Sequence, residues 1–165
     1  METAAEQLTA VAAAIHERLR ARGESLATAE SLTGGMLGSI LTTVAGASAT
    51  YRGGVIVYAT DLKSALLDVP DGLIAARGPV DPDVAAAMAA GACARLSATW
   101  GVALTGVAGP DPQGGKPVGT VYVAVCGPRG TTVLEQRFAG DRTAIRMAAC
   151  RNALHNLHDR LADDG

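Results

Sequence analysis

The sequence predicts an α/β domain with three α/β/α layers around a mixed, mostly parallel sheet. Three observations predict it. Helix-like and strand-like segments alternate through residues 8–106, which implies parallel strands joined by crossover helices. Two strand-like runs, 118–126 and 131–138, then flank Gly127-Pro128-Arg129-Gly130, as in a hairpin. Hydrophobic residues make up 48% of the 165 and aromatics only 3%. The core therefore has to be built from Ala, Val, Leu and Ile, with helices packed close on the sheet. The length suits a single domain over 1–165.

Leu8, Val11, Ala12, Ile15 and Leu19 fall at helical spacing, and Gly23 is a natural stop. Ser25–Ala29 reads as a short strand. It leads through Glu30-Ser31-Leu32-Thr33-Gly34-Gly35 into a helix ending about Thr43. Gly53–Ala59 is an apolar run of strand length, expected to be buried on both faces. Thr60 and Asp61 are good helix starters, with Thr60 expected to cap a helix through Leu67. Glycine and proline punctuation makes 71–81 read as a loop. Asp83–Leu96 is an alanine-rich helix and Gly101–Gly106 a strand, followed by a glycine- and proline-rich loop over 107–117. The last helix starts at Gly140-Asp141 and carries the stripe Met147, Cys150, Leu154, Leu157 and Leu161.

Several function classes are excluded. The formal net charge is −2, with no run of clustered Lys and Arg, so nucleic acid is not expected as a main partner. No stretch approaches the roughly 18 apolar residues of a membrane span, and the first residues do not read as a signal peptide. Cys93, Cys126 and Cys150 are far apart with no CxxC pair, which fits a reducing, cytoplasmic setting. His155 and His158 stand three apart without a third ligand, and no HExxH motif occurs. No metal or cofactor is therefore expected. The alanine-rich helices would suit a homo-oligomer.

In a parallel sheet, the loops after the strand C-termini share one edge, where ligands bind. Three such loops here carry chemistry. The first holds Ser31, followed by Thr33, Gly34 and Gly35 at a helix start, where backbone N–H groups can receive an anion or oxyanion. Ser31 is there either a nucleophile or, with Thr33, a helix cap. The second loop runs from Tyr58 to Lys63. A lysine in the first turn of a helix is opposed by the dipole, and burial would lower its pKa further. A neutral lysine can act as base for a serine; the alternative is a solvated surface lysine. The third loop, TGVAGPDPQGGKPVG from Thr105 to Gly119, includes Gly106 and Gly109 but matches neither a P-loop nor a GxGxxG fingerprint. Arg142 and Arg146 lie one turn apart at the start of the last helix, either as an anion site or as an exposed pair.

The segments AESLTGG (29–35), GGVIVYATDLK (53–63), GPVDPDVAAAMAAGA (78–92), TGVAGPDPQGGKPVGTVY (105–122) and FAGDRTAIR (138–146) together resemble the successive motifs of the CinA C-terminal family. The resemblance covers nearly the whole chain, without the family's companion domain that is similar to a molybdopterin-binding fold. It departs from the family pattern at Leu32, Ala59-Thr60, Pro79 and Asp81. It implies a stand-alone amidohydrolase converting nicotinamide mononucleotide to nicotinic acid mononucleotide and ammonia, in pyridine-nucleotide recycling. It also implies a serine/lysine dyad of Ser31 and Lys63, with Tyr58, Thr105 and Arg142 in the site. The competing expectation is a non-catalytic nucleotide-binding regulatory module of the competence/damage-inducible type.

Overall fold

The structure is a computed structural model describing residues 1–165. Helix α1 (Ala4–Arg22) starts with a reciprocal capping box between Thr3 and Glu6 and ends at Gly23 in the left-handed region, φ 64°. There follow β1 (Leu26–Glu30), α2 (Met36–Thr42), a 3₁₀ turn (Ala47–Ala49), β2 (Tyr51–Ile56), α3 (Thr60–Leu67), α4 (Asp71–Arg77) and α5 (Pro82–Leu96). The chain finishes with β3 (Trp100–Gly106), the hairpin β4 (Thr120–Gly127) and β5 (Gly130–Arg137), and α6 (Arg142–Asp163).

The five strands form one sheet in the order β2-β1-β3-β4-β5. Strand β1 pairs in parallel with β2 and β3, while β4 runs antiparallel to both of its neighbours. Only β4 therefore runs against the rest. The core is divided by the sheet. Leu26, Val102, Leu104, Val121 and Val123 pack toward α1, α2 and α6. The alternate residues Ala27, Ala29, Ala103 and Ala124 pack toward α5. Small side chains on that second face let α5 lie close to the sheet. A Cβ at Gly101 would collide with the Ala89 carbonyl of α5.

Three expectations are corrected. The strand placed at 53–59 spans Tyr51–Ile56 and lies at the sheet edge, alternating between half-buried and exposed residues. Its apolar composition resembled that of a central strand, but position in the sheet, not composition, decides burial. Residues Asp71–Arg77 are helical rather than looped, with Pro70 at the N-cap position; Gly72 early in the segment masked the helix. Helix α3 has Ala59 at its N-cap position and no side-chain cap, so Thr60 is its first helical residue rather than its cap. No helix is long and apolar enough to cross a membrane.

Candidate active site

Strand β1 ends in the middle of the sheet with a neighbour on each side. The Glu30 carbonyl accepts from Val57 N–H at 2.8 Å on the β2 side, and Ser31 N–H donates to the Leu104 carbonyl at 3.1 Å on the β3 side. Ser31 is thus fixed where β1 stops. Glu30, buried to 2% exposure, turns its carboxylate onto the start of α2. Its two oxygens accept from Leu37 N–H at 2.9 Å and Gly38 N–H at 3.0 Å. The first free amides of that helix are therefore satisfied by an internal anion. Neither Ser31 nor Thr33 caps α2, whose N-cap position is Gly35 at φ 100° with no side-chain bond. The Ser31 hydroxyl is left free for other partners.

One such partner is Lys63. Its side chain is 1% exposed, with Nζ 3.2 Å from Ser31 Oγ and donating to the Val57 carbonyl at 2.8 Å. No carboxylate pairs with it. Burial alone lowers its pKa from 10.5 to about 8, because an ammonium loses hydration there without a compensating charge. The surface-lysine alternative is thereby excluded. Helix α3 carries Lys63 inward as the fourth of its residues Thr60–Leu67.

Around this pair the three loops enclose a cleft. Tyr58, Thr105, Gly106, Gly109 and Arg142 line it with Ser31 and Lys63. Thr105 is fully buried and donates its hydroxyl to the Pro79 carbonyl at 2.7 Å, fastening the loop before α5 to β3. At the mouth, Arg142 Nη1 donates to the Gly109 carbonyl at 2.6 Å and Nη2 to Tyr58 Oη at 2.9 Å. Neither partner is a carboxylate and Arg142 forms no ion pair, so the exposed guanidinium presents its charge at the opening. Tyr58 is 60% exposed, and its hydroxyl engages Arg142 rather than the serine–lysine pair.

Thr33, Gly34, Gly35 and Arg146 do not line the cleft. Arg142 and Arg146 were expected on one face, yet their side chains diverge. Arg146 Nε donates to the Leu32 carbonyl at 2.9 Å and Nη2 to the Thr33 carbonyl at 3.2 Å, behind the serine turn. Thr33 is fully buried, and its hydroxyl has no partner. Sequence reasoning missed Glu30, although an acid directly before the turn to α2 was a readable signal. It also missed Asp111 and Gln113, which line the cleft from a loop already singled out. The positions that depart from the family motifs have local roles. Leu32 joins the core, Thr60 lines the cleft, and Asp81 caps α5 through Asp83 N–H at 2.8 Å.

Residues 8–161 match the family described as the CinA C-terminal domain. A CinA-like protein of Frankia casuarinae is 52% identical over 141 residues, which are 86% of this chain and 33% of that protein. One from Anaeromyxobacter sp. strain Fw109-5 is 50% identical over 157 residues, covering 93% and 37%. The chain thus spans about a third of the length of the curated relatives it matches. Solved structures match over more than nine-tenths of their length. The competence/damage inducible protein CihA from Agrobacterium tumefaciens has a TM-score of 0.91 at 35% identity, covering 98% of this chain and 99% of that one. A competence-damaged protein (CinA) superfamily protein from Escherichia coli has a TM-score of 0.89 at 32% identity, covering 95% and 92%.

Proposed function

The chain belongs to the CinA C-terminal domain family, and we propose that it is an amidohydrolase converting nicotinamide mononucleotide to nicotinic acid mononucleotide and ammonia. One observation carries the proposal: the buried Lys63 amine, without a counter-charge, lies 3.2 Å from the Ser31 hydroxyl. A lysine with a pKa of about 8 is neutral often enough near neutrality to accept a serine proton. A structural lysine would instead be expected to reach a carboxylate or solvent.

The chemistry divides into two half-reactions. Lys63 Nζ takes the Ser31 proton as Oγ bonds to the carboxamide carbon, and the carbonyl oxygen becomes an oxyanion. The C–N bond then breaks, and Lys63 returns its proton to the departing nitrogen, releasing ammonia. Water next gives a proton to Lys63 and attacks the acyl ester, and Ser31 Oγ leaves with that proton. At the mouth, Arg142 supplies a fixed cation for the phosphate of the nucleotide. Tyr58 and Gly109 hold that guanidinium in place.

The test is ammonia release from nicotinamide mononucleotide by the parent, Ser31→Ala and Lys63→Ala. Turnover by the parent and its loss in both folded variants supports the assignment. A folded parent that binds the nucleotide without releasing ammonia refutes it and favours the regulatory-module reading.

A further inference from the structure

We propose that the Leu32 N–H is the oxyanion donor for Ser31, and that Arg146 is the positioning residue that holds it there. This rests on the amidohydrolase reading and adds to it a donor and a brace.

Ser31 is followed by two amides, those of Leu32 and Thr33, that have no intramolecular acceptor. Leu32 lines the cleft, whereas Thr33 is sealed off at 0% exposure. Leu32 is therefore the accessible donor adjoining the nucleophile, a position that recurs among serine hydrolases. Its direction follows from the turn. The Ser31 carbonyl accepts from Gly34 N–H at 3.1 Å, inside the turn. Because a trans peptide unit points its C=O and N–H in opposite directions, the Leu32 N–H of that unit faces outward.

What keeps the turn in this state is Arg146. The Leu32 side chain is anchored in the core, and the Leu32 and Thr33 carbonyls both accept from the one guanidinium, at 2.9 and 3.2 Å. The three consecutive carbonyls of residues 31–33 are thus committed, and the Leu32 N–H is left unspent at the cleft. A planar guanidinium with donors in a rigid fork can span two carbonyls; an ammonium is a point donor and cannot hold both in the same way. Arg146 forms no ion pair with a carboxylate and does not line the cleft. Its role is toward the backbone and not toward a phosphate. During attack, the π electrons of the amide move onto its oxygen. The Leu32 N–H receives that charge by a hydrogen bond and gives up no proton.

The test uses the full chain with Arg146→Lys and Arg146→Ala. We expect kcat for nicotinamide mononucleotide to fall about 100-fold in Arg146→Ala, the scale for a misplaced catalytic geometry, while KM stays near the parent's. Ethylguanidine should restore part of the activity to Arg146→Ala. A boronic acid that forms a tetrahedral adduct with Ser31 should bind less tightly to both variants, while the product, nicotinic acid mononucleotide, binds as before. A rise in KM with kcat intact would make Arg146 a phosphate ligand and overturn the proposal, as would unchanged boronate affinity. Should the alanine variant fail to fold, Arg146→Lys decides by the same readouts. Should the parent lack amidase activity, the proposed function fails. The boronate comparison then still tests the brace, because it reads Ser31 directly.

Discussion

The lysine at the centre of the cleft makes a pH dependence that can be worked from the structure. With a pKa of about 8, roughly one Lys63 in eleven is neutral at pH 7. At the ordinary value of 10.5 the neutral fraction would be about one in 3,000. Burial thus raises the supply of free base roughly 300-fold. The expected kcat/KM rises about tenfold per pH unit below that pKa, bends near pH 8 and is flat above it. Ammonia release followed over roughly pH 6 to 10 measures this. A rise continuing unbent toward pH 10.5 would refute the desolvated-base argument. Stability follows with a determined sign. The folded state binds the Lys63 proton more weakly than the unfolded state, so stability rises with pH between about 8 and 10.5, and the full penalty applies below pH 8. The ceiling set by the fall from 10.5 to about 8 is about 3 kcal/mol. Solvent reaching the amine through the cleft reduces this to about 1–2 kcal/mol. Denaturant unfolding of the parent and Lys63→Met at both ends of that window checks it. The parent should gain about 1–2 kcal/mol on the variant as pH rises; parallel pH profiles would refute the reasoning.

Other perturbations test the surroundings. Arg142→Ala should raise KM for the nucleotide more than it lowers kcat, and Tyr58→Phe should do so more weakly, since it removes one of two restraints on the guanidinium; steady-state kinetics distinguish the pair. Glu30→Gln replaces a buried carboxylate that accepts two amide hydrogens with a side chain that has one acceptor oxygen, and should cost about 1–3 kcal/mol in chemical denaturation. Gly119→Ala places a Cβ against the Phe138 carbonyl at φ 91°, and should lower the melting temperature by at least about 2–4 °C, the scale for losing roughly 1 kcal/mol in a chain of this size.

Much of the fold was legible because its signals are local. The stripe on α6 and the stop at Gly23 act within their own segments, as does the Pro128-Arg129 turn. The helix over Asp71–Arg77 and the cap of α3 failed on local signals, and the third failure was non-local. Whether 51–56 lies at an edge or in the centre depends on β1 and β3, which compete for the same neighbour positions. At the site, loop placement brought Ser31, Lys63, Tyr58, Thr105, Gly106 and Gly109 into view together, and Arg142 came from the start of the last helix. The divergence of Arg142 and Arg146 was illegible, since equal helical spacing says nothing about which acceptors lie within reach of a long side chain. One guanidinium finds Gly109 and Tyr58 across an open mouth, and the other finds two carbonyls behind a turn.

The topology explains why this pair of residues can meet at all. From β1 the chain crosses to β2 on one side and later to β3 on the other, so the C-terminal end of β1 lies where the strand order reverses. Such a point leaves a crevice, because the two crossovers diverge from it. Ser31 sits at its floor by continuing β1, and α3 after β2 carries Lys63 in from the side. Its amine reaches the Val57 carbonyl, next to the Val57 N–H that binds β1. A single residue of backbone therefore registers Lys63 against Ser31: its N–H holds the strand leading into Ser31, and its carbonyl holds Lys63. An edge strand with half of its residues exposed is thus the one on which the geometry of the site depends.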